Sequence, residues 1–261
     1  MKEILKFKNL LFLSIFILLS SCGQTIDVDD EENYLLNLSS LGGITSYKGI
    51  PYTGKIVKYV DDEKTQLEWK KTFEEGKLDG LSEEYNKNGQ LEESVTYKEG
   101  EEEEEVKYTY HENGQLKEKR TYKDGKQDGQ WEEYGDNGQL WSKGTYKDGK
   151  KDGQWEEYII IYKDDNTLQS SGMLRYKGTY KDGKQDGQWE EYFDNGQLIY
   201  KGTYKDGKED GQWEYYYENG KLADKGTYKD GKEDGQWESY DENGKEIRRG
   251  GMYKDGVKQD N

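Results

Sequence analysis

The chain has 261 residues, 30% hydrophobic and 36% charged, and its 56 Asp and Glu outweigh 39 Lys and Arg to give a net charge of −17. So few aliphatic side chains, so much Gly and a single Cys disfavour a large core, a doubly wound α/β enzyme, a helical bundle and a disulfide scaffold, and the acidity disfavours binding to nucleic acid or anionic lipid. Disorder, the other reading of such a composition, conflicts with 33 Gly, 24 Tyr and 7 Trp beside one Pro.

Residues 1–21 differ from everything that follows. Lys2, Lys6 and Lys8 precede an apolar run over residues 10–19, too short to span a bilayer, and the segment closes on Leu19-Ser20-Ser21-Cys22. This resembles the bacterial lipoprotein signal, which implies acylation of the Cys22 thiol and cleavage in front of it. By the same resemblance, Gly23 in place of Asp favours the outer membrane or cell surface over retention at the inner membrane. Residues 22–40, with Asp27, Asp29, Asp30, Glu31 and Glu32, are expected to form a solvated acidic tether.

From residue 41 to 261 the chain is self-similar. Aromatic anchors at Tyr47, Phe73, Tyr97, Tyr122, Tyr146, Tyr180, Tyr204, Tyr228 and Tyr253 recur about every 24 residues, with one ten-residue insertion. Nine residues after an anchor comes Trp131, Trp155, Trp189, Trp213 or Trp237, replaced by Ile56, Ser82 and Val106 in early units. Twelve after comes Tyr134, Tyr158, Tyr192, Tyr216 or Tyr240 in the same five units. Each unit reads as a β-hairpin, so the fold class is all-β: an elongated, single-layer antiparallel ribbon of about nine units.

Within a unit, a strand such as Gln188-Trp189-Glu190-Glu191-Tyr192 leads into Asn195-Gly196, expected to be a type I′ turn with two positive φ angles. Period-2 alternation puts Leu198, Tyr200, Gly202 and Tyr204 on one face of the return strand. Gly144, Gly178, Gly202 and Gly226 are expected to leave room for a large ring. Trp189 and Tyr192, three apart, place aromatics on both faces unless a bulge re-aims one ring.

Two units depart from the pattern. The insertion, about residues 159–171, reads as a lengthened hairpin whose Ile159, Ile160, Ile161 and Tyr162 form a candidate partner-binding patch in an otherwise polar chain. The acidic run at residues 101–105 reads as a solvated bulge.

The segment Tyr122-Lys-Asp-Gly125-Lys-Gln-Asp-Gly129-Gln-Trp131-Glu-Glu-Tyr134 resembles the MORN repeat, in the bacterial variant named after YwqK-type antitoxins. The resemblance implies an antiparallel β-ribbon with protein-interaction or scaffold roles. Catalysis finds no support in the residues. His111 is a lone turn histidine, Cys22 is assigned to lipid, and neither a phosphate-cradling nor a dinucleotide motif is present. Asp-Gly-Lys-X-Asp-Gly segments lack calcium-loop spacing and read as turns, so no metal and no cofactor is expected. The expected function is a membrane-anchored interaction scaffold at the bacterial cell envelope, with an unidentified protein partner. The alternatives are a toxin-neutralising protein and a cell-wall glycan-binding module.

Overall fold

The structure, a computed structural model, describes residues 24–29, 38–41, 43–162 and 168–259. The leader at residues 1–21 and Cys22 lie outside the described residues. Every regular element among the described residues is a strand, and the chain divides into two compact units. The first comprises residues 1–108 with 122–124, the second residues 109–121 with 125–261.

In the second unit, strands from Lys126–Tyr134 to Val257–Lys258 pair antiparallel in chain order. Two kinds of turn alternate. Asp206-Gly207 closes Tyr204 and Lys205 onto Glu209 and Lys208, and both turn residues have positive φ, 50° and 83°. This two-residue type I′ turn recurs at Asp148-Gly149, Asp182-Gly183 and Asp230-Gly231. At Asn195-Gly196 the expected type I′ turn is not formed, because only Gly196 takes a positive φ (80°). There Gly196 N–H donates to Phe193 O and Phe193 N–H to Gln197 O, a three-residue loop ending in a left-handed glycine. Asn195 is retained for its amide. Its Oδ1 accepts from Gln197 N–H, and its Nδ2 donates to Glu218 O of the next unit at 2.9 Å.

Units are also fastened through their two-residue turns. Gly207 N–H donates to Gln185 O, and Asp206 N–H to Asp186 Oδ2, each from one turn to the preceding one. The same pair of bonds joins Asp230 and Gly231 to Asp210 and Glu209. The recurring Asp-Gly is therefore read out twice, as turn geometry and as a contact between neighbours.

The first unit begins differently from expectation. Residues 24–27, assigned to a solvated tether, form strand Gln24–Asp27, which pairs parallel with Gly54–Tyr59. Ile26, isolated among acidic residues, is 1% exposed against Ile56 and Tyr52, with Val28, Tyr47, Trp69 and Phe73 packed around them. Burying one apolar side chain is worth about 2 kcal/mol, which adds to the parallel backbone pairing in holding so short a strand on a prepared edge. Leu38–Leu41, Ile44–Tyr47 and Ile50–Pro51 form a separate three-stranded sheet. Where the second unit opposes Trp189 to Gly202, the first opposes Ser82 to Val95, moving bulk from one strand to its partner.

Candidate functional site

Strand register distributes the candidate residues over two faces. Residues directly opposite share a face, so Trp189 lies with Gly202 while Glu190 lies with Lys201 on the other side. A register shift between Glu191 and Tyr192 then sets Tyr192 opposite Leu198 and leaves Ile199 as the extra residue of a bulge. Tyr192, two residues on from Glu190 in the same strand, shares its face, and the Tyr192 hydroxyl donates to Glu190 Oε2. Leu198 is carried with it, away from the face of Tyr200 and Gly202 where simple alternation placed it. The same shift precedes Tyr134, Tyr158 and Tyr216. Trp131, Trp155, Trp189, Trp213 and Trp237 thus do not form one ladder with Tyr134, Tyr158, Tyr192, Tyr216 and Tyr240.

The Trp rings are partnered by the anchor tyrosines instead. Trp213 meets Tyr204 edge-on at 4.9 Å and Tyr228 at 5.8 Å, and Trp189 meets Tyr180 at 5.5 Å and Tyr204 at 5.9 Å. Each indole lies flat on the glycine of the preceding strand. A Cβ on Gly144, Gly178, Gly202 or Gly226 would come within 1.8 to 2.3 Å of the ring of Trp155, Trp189, Trp213 or Trp237. The expected use of these glycines is the one observed. Indole N–H groups of Trp155, Trp213 and Trp237 donate to the carbonyls of Thr145, Thr203 and Thr227. Trp155, Trp189, Trp213 and Trp237 are 1 to 5% exposed, so this layer is a core and not an open platform.

The opposite face carries a row of charges that spacing along the chain does not reveal. Opposed positions run Glu132, Lys143, Glu156, Lys177, Glu190, Lys201, Glu214, Lys225 and Glu238, an alternating row across successive strands. Lys177, Lys201 and Lys225 hold Glu190, Glu214 and Glu238 at 2.8 to 2.9 Å. The hydrogen bond from Tyr216, then that from Lys201, holds the Glu214 carboxyl below its ordinary value. Glu156 is lowered by Tyr158 and Lys143 in the same way. At Glu190 burial pulls upward but is outweighed by Lys177 and Tyr192. A carboxylate with a lowered folded-state pKa stabilises the fold above its unfolded value, and the benefit is lost as pH falls through the folded values. Stability should therefore fall below about pH 4.5, and Glu214→Gln should shallow that fall, each exposed pair being worth at most about 1 kcal/mol. Thermal melts between about pH 6 and pH 3 check this; a Glu214→Gln profile parallel to the parent's would show that the row does not contribute.

The other candidates fall as follows. His111 Nε2 lies 2.8 Å from Tyr134 O, between adjacent hairpins. In the acidic run a register shift falls between Glu102 and Glu104, and Glu105 shares Lys107 with Glu93 at 2.9 and 3.3 Å. No cluster of three or more metal-ligating side chains occurs among the described residues. The insertion forms strands Gly153–Tyr162 and Leu168–Lys181, of 10 and 14 residues, where Gly211–Tyr216 and Leu198–Lys205 have 6 and 8. Neighbouring strands stop short of the extension: Leu140–Lys147 reaches only Glu156 and Glu157, and Lys184–Tyr192 pairs no further than Tyr176. Residues 158–162 pair only with residues 168–174 among the described residues, through two further register shifts, and no other described strand pairs with their outer edges.

Six segments match the MORN repeat variant: residues 78–99, 106–124, 127–148, 185–206, 209–230 and 233–249. Six units are therefore MORN repeats of the variant type. The matched segments skip the lengthened hairpin, where this chain departs from its own period. Among curated proteins nothing matches the chain. A solved structure similar to it is a protein of unknown function from Bacteroides fragilis NCTC 9343, at 12% identity over 61% of this chain and 90% of that one, with a TM-score of 0.11.

Proposed function

We propose that the MORN-repeat chain is a lipid-anchored protein–protein interaction scaffold at the bacterial cell envelope, held through Cys22 and docking a protein partner through the extended hairpin. The observation that carries this reading is the hairpin itself. Beyond Glu157 two strands continue with no further strand paired to them among the described residues, and Ile159, Ile160 and Ile161 form an apolar run in a chain that is 36% charged. A free strand edge offers unpaired N–H and C=O groups to an extended segment, and apolar residues beside it supply the affinity. The buried tryptophans weigh against the glycan-binding alternative, because rings 1 to 5% exposed leave no broad open face on which a sugar could lie flat. The reading gives the chain no catalytic role.

The test is recovery of a partner by the acylated chain from envelope extracts. The parent should enter the membrane fraction and retain a partner that the triple replacement of Ile159, Ile160 and Ile161 by Ser does not. Cys22→Ser should move the chain to the aqueous fraction with partner binding intact. Equal recovery by the Ser variant would remove the hairpin from the proposal, and membrane association of Cys22→Ser would remove the anchor.

A further inference from the structure

The tryptophan face changes character toward its C-terminal end. Two residues before each ring-bearing glycine stands the side chain that decides what covers the indole. Tyr176 stacks on Trp189 at 5.1 Å and 18°, and Tyr200 lies over Trp213 at 5.4 Å and 35°. At the two remaining positions that residue is not aromatic, Ser142 for Trp155 and Asp224 for Trp237, and the parallel ring comes from elsewhere: Trp131 on Trp155 at 5.2 Å and 28°, and, more loosely, Tyr215 on Trp237 at 6.4 Å and 30°.

Over Trp155 the chain places its own cation. Lys151 Nζ lies 3.9 Å from the Trp155 ring centre and 5.1 Å from that of Tyr180. Burial lowers the pKa of this ammonium, and the nearby charge of Glu157 opposes the fall. A corner of one indole and the following anchor tyrosine thus accepts an alkylammonium within this same chain.

Trp237 and Tyr253 build the corresponding corner three repeats on, and the residue in the place of Lys151 is Glu233. A cavity of about 300 Å³ opens there, lined by Tyr215, Asp224, Tyr228, Glu233, Trp237 and Tyr253 with Ser239 at its floor. Ser239 is 3% exposed and donates to Asp224 Oδ1, which holds that carboxylate at the wall. Neither Asp224 nor Glu233 is ion-paired with Lys or Arg among the described residues. The local field is negative. Burial raises the Tyr228 hydroxyl, the hydrogen bond from Tyr215 opposes this, and the charges of Glu233, Glu209 and Asp224 raise it further.

We propose that this cavity binds an alkylammonium ion, its charge met by Asp224 and Glu233 and its face by Trp237, Tyr253, Tyr228 and Tyr215. Ring quadrupoles attract a cation, and two carboxylates in a partly desolvated wall add the opposite charge. The recognised group is the same in a free amine cation and in the lysine side chain of another protein. An anion or a neutral sugar gains neither interaction.

The test titrates n-butylammonium, and separately a terminally blocked lysine peptide, into the full chain at fixed ionic strength, read by calorimetry and tryptophan fluorescence. One saturable site, not reproduced by sodium, is expected. Glu233→Lys installs the arrangement seen at Lys151, and Asp224→Tyr installs the ring seen at Tyr200; each should weaken binding at least about tenfold. Both variants copy residues that neighbouring repeats already hold, and unchanged circular dichroism confirms that they fold. Lys151→Glu should create a second site at Trp155. Stronger binding of n-butylammonium identifies a free amine as the source, and stronger binding of the peptide identifies a protein lysine. No saturable binding of either probe, or binding unchanged in both Glu233→Lys and Asp224→Tyr, overturns the proposal.

Discussion

Replacing Gly202 by Ala should destabilise the second unit by about 3 kcal/mol, far more than a surface methyl ordinarily costs, and should cost nothing once Trp213 is gone. The added Cβ would stand 2.1 Å from Trp213 Cδ2, and an indole 2% exposed between Tyr204 and Tyr228 has nowhere to retreat. Overpacking of this kind costs about 1 to 3 kcal/mol where neighbours can shift and more where they cannot. Trp213→Ala alone should cost about 3 to 5 kcal/mol, through lost burial and a cavity. In that background Gly202→Ala should be neutral or slightly favourable, since Ala loses less backbone entropy than Gly in a strand. Gly149→Ala is the control. Gly149 has φ of 79° with nothing within 4 Å of a Cβ, so only backbone strain of about 1 kcal/mol applies. Urea unfolding of the four combinations, followed by Tyr and Trp fluorescence, gives the coupling. A Gly202→Ala cost that persists without Trp213 would mean that the glycine serves its backbone and not the ring.

Ile26→Ser should open the first unit from its parallel strand inward. Ile26 is 1% exposed, and its loss removes about 2 to 5 kcal/mol of packing while leaving a hydroxyl against Ile56 and Tyr52. Freed of Gln24–Asp27, the Gly54–Tyr59 strand would present its edge to solvent, and with it the ion pair between Lys64 and Asp27 would be lost. Hydrogen exchange should show loss of protection at residues 54–59 with residues 126–240 unaffected. Uniform loss across both units would show that they unfold together.

Much of this arrangement was legible in the sequence, because a repeat prints its own constraints several times over. The phase of Trp213 against Gly202, and of each anchor against the next, identifies hairpins and predicts a glycine beneath a ring. The turn types were not legible, since Asn-Gly and Asp-Gly both suit positive φ; loop length decides, and Lys205 pairs with Lys208 while Phe193 reaches Gln197 across three residues. Trp189 and Tyr192 keep the two faces that simple alternation gives them; what was not legible is the bulge at Ile199 of the return strand, which sets Leu198 opposite Tyr192. The alternating Lys and Glu row needs strand register to be seen, because Lys201 and Glu214 are joined by pairing and not by spacing. Strand Gln24–Asp27 escaped because its only apolar signal is Ile26 and its partner Ile56 lies 30 residues on. The cavity at Trp237 becomes visible only when Asp224 is compared with Tyr200 and Glu233 with Lys151.

The chain-order pairing of strands in the second unit also fixes how that unit yields to mechanical load. Tension applied between residue 126 and residue 259 is borne first by the hydrogen bonds of whichever hairpin is outermost, one pair at a time, because each strand is fastened only to those before and after it in the chain. Such a sheet peels and does not shear. Each repeat that opens releases about 80 Å of contour, from about 24 residues at roughly 3.4 Å apiece, while the repeats behind it stay folded. Under tension the unit would behave as a series of small extensible links, lengthening in steps at low force and re-forming in the reverse order when the load is removed.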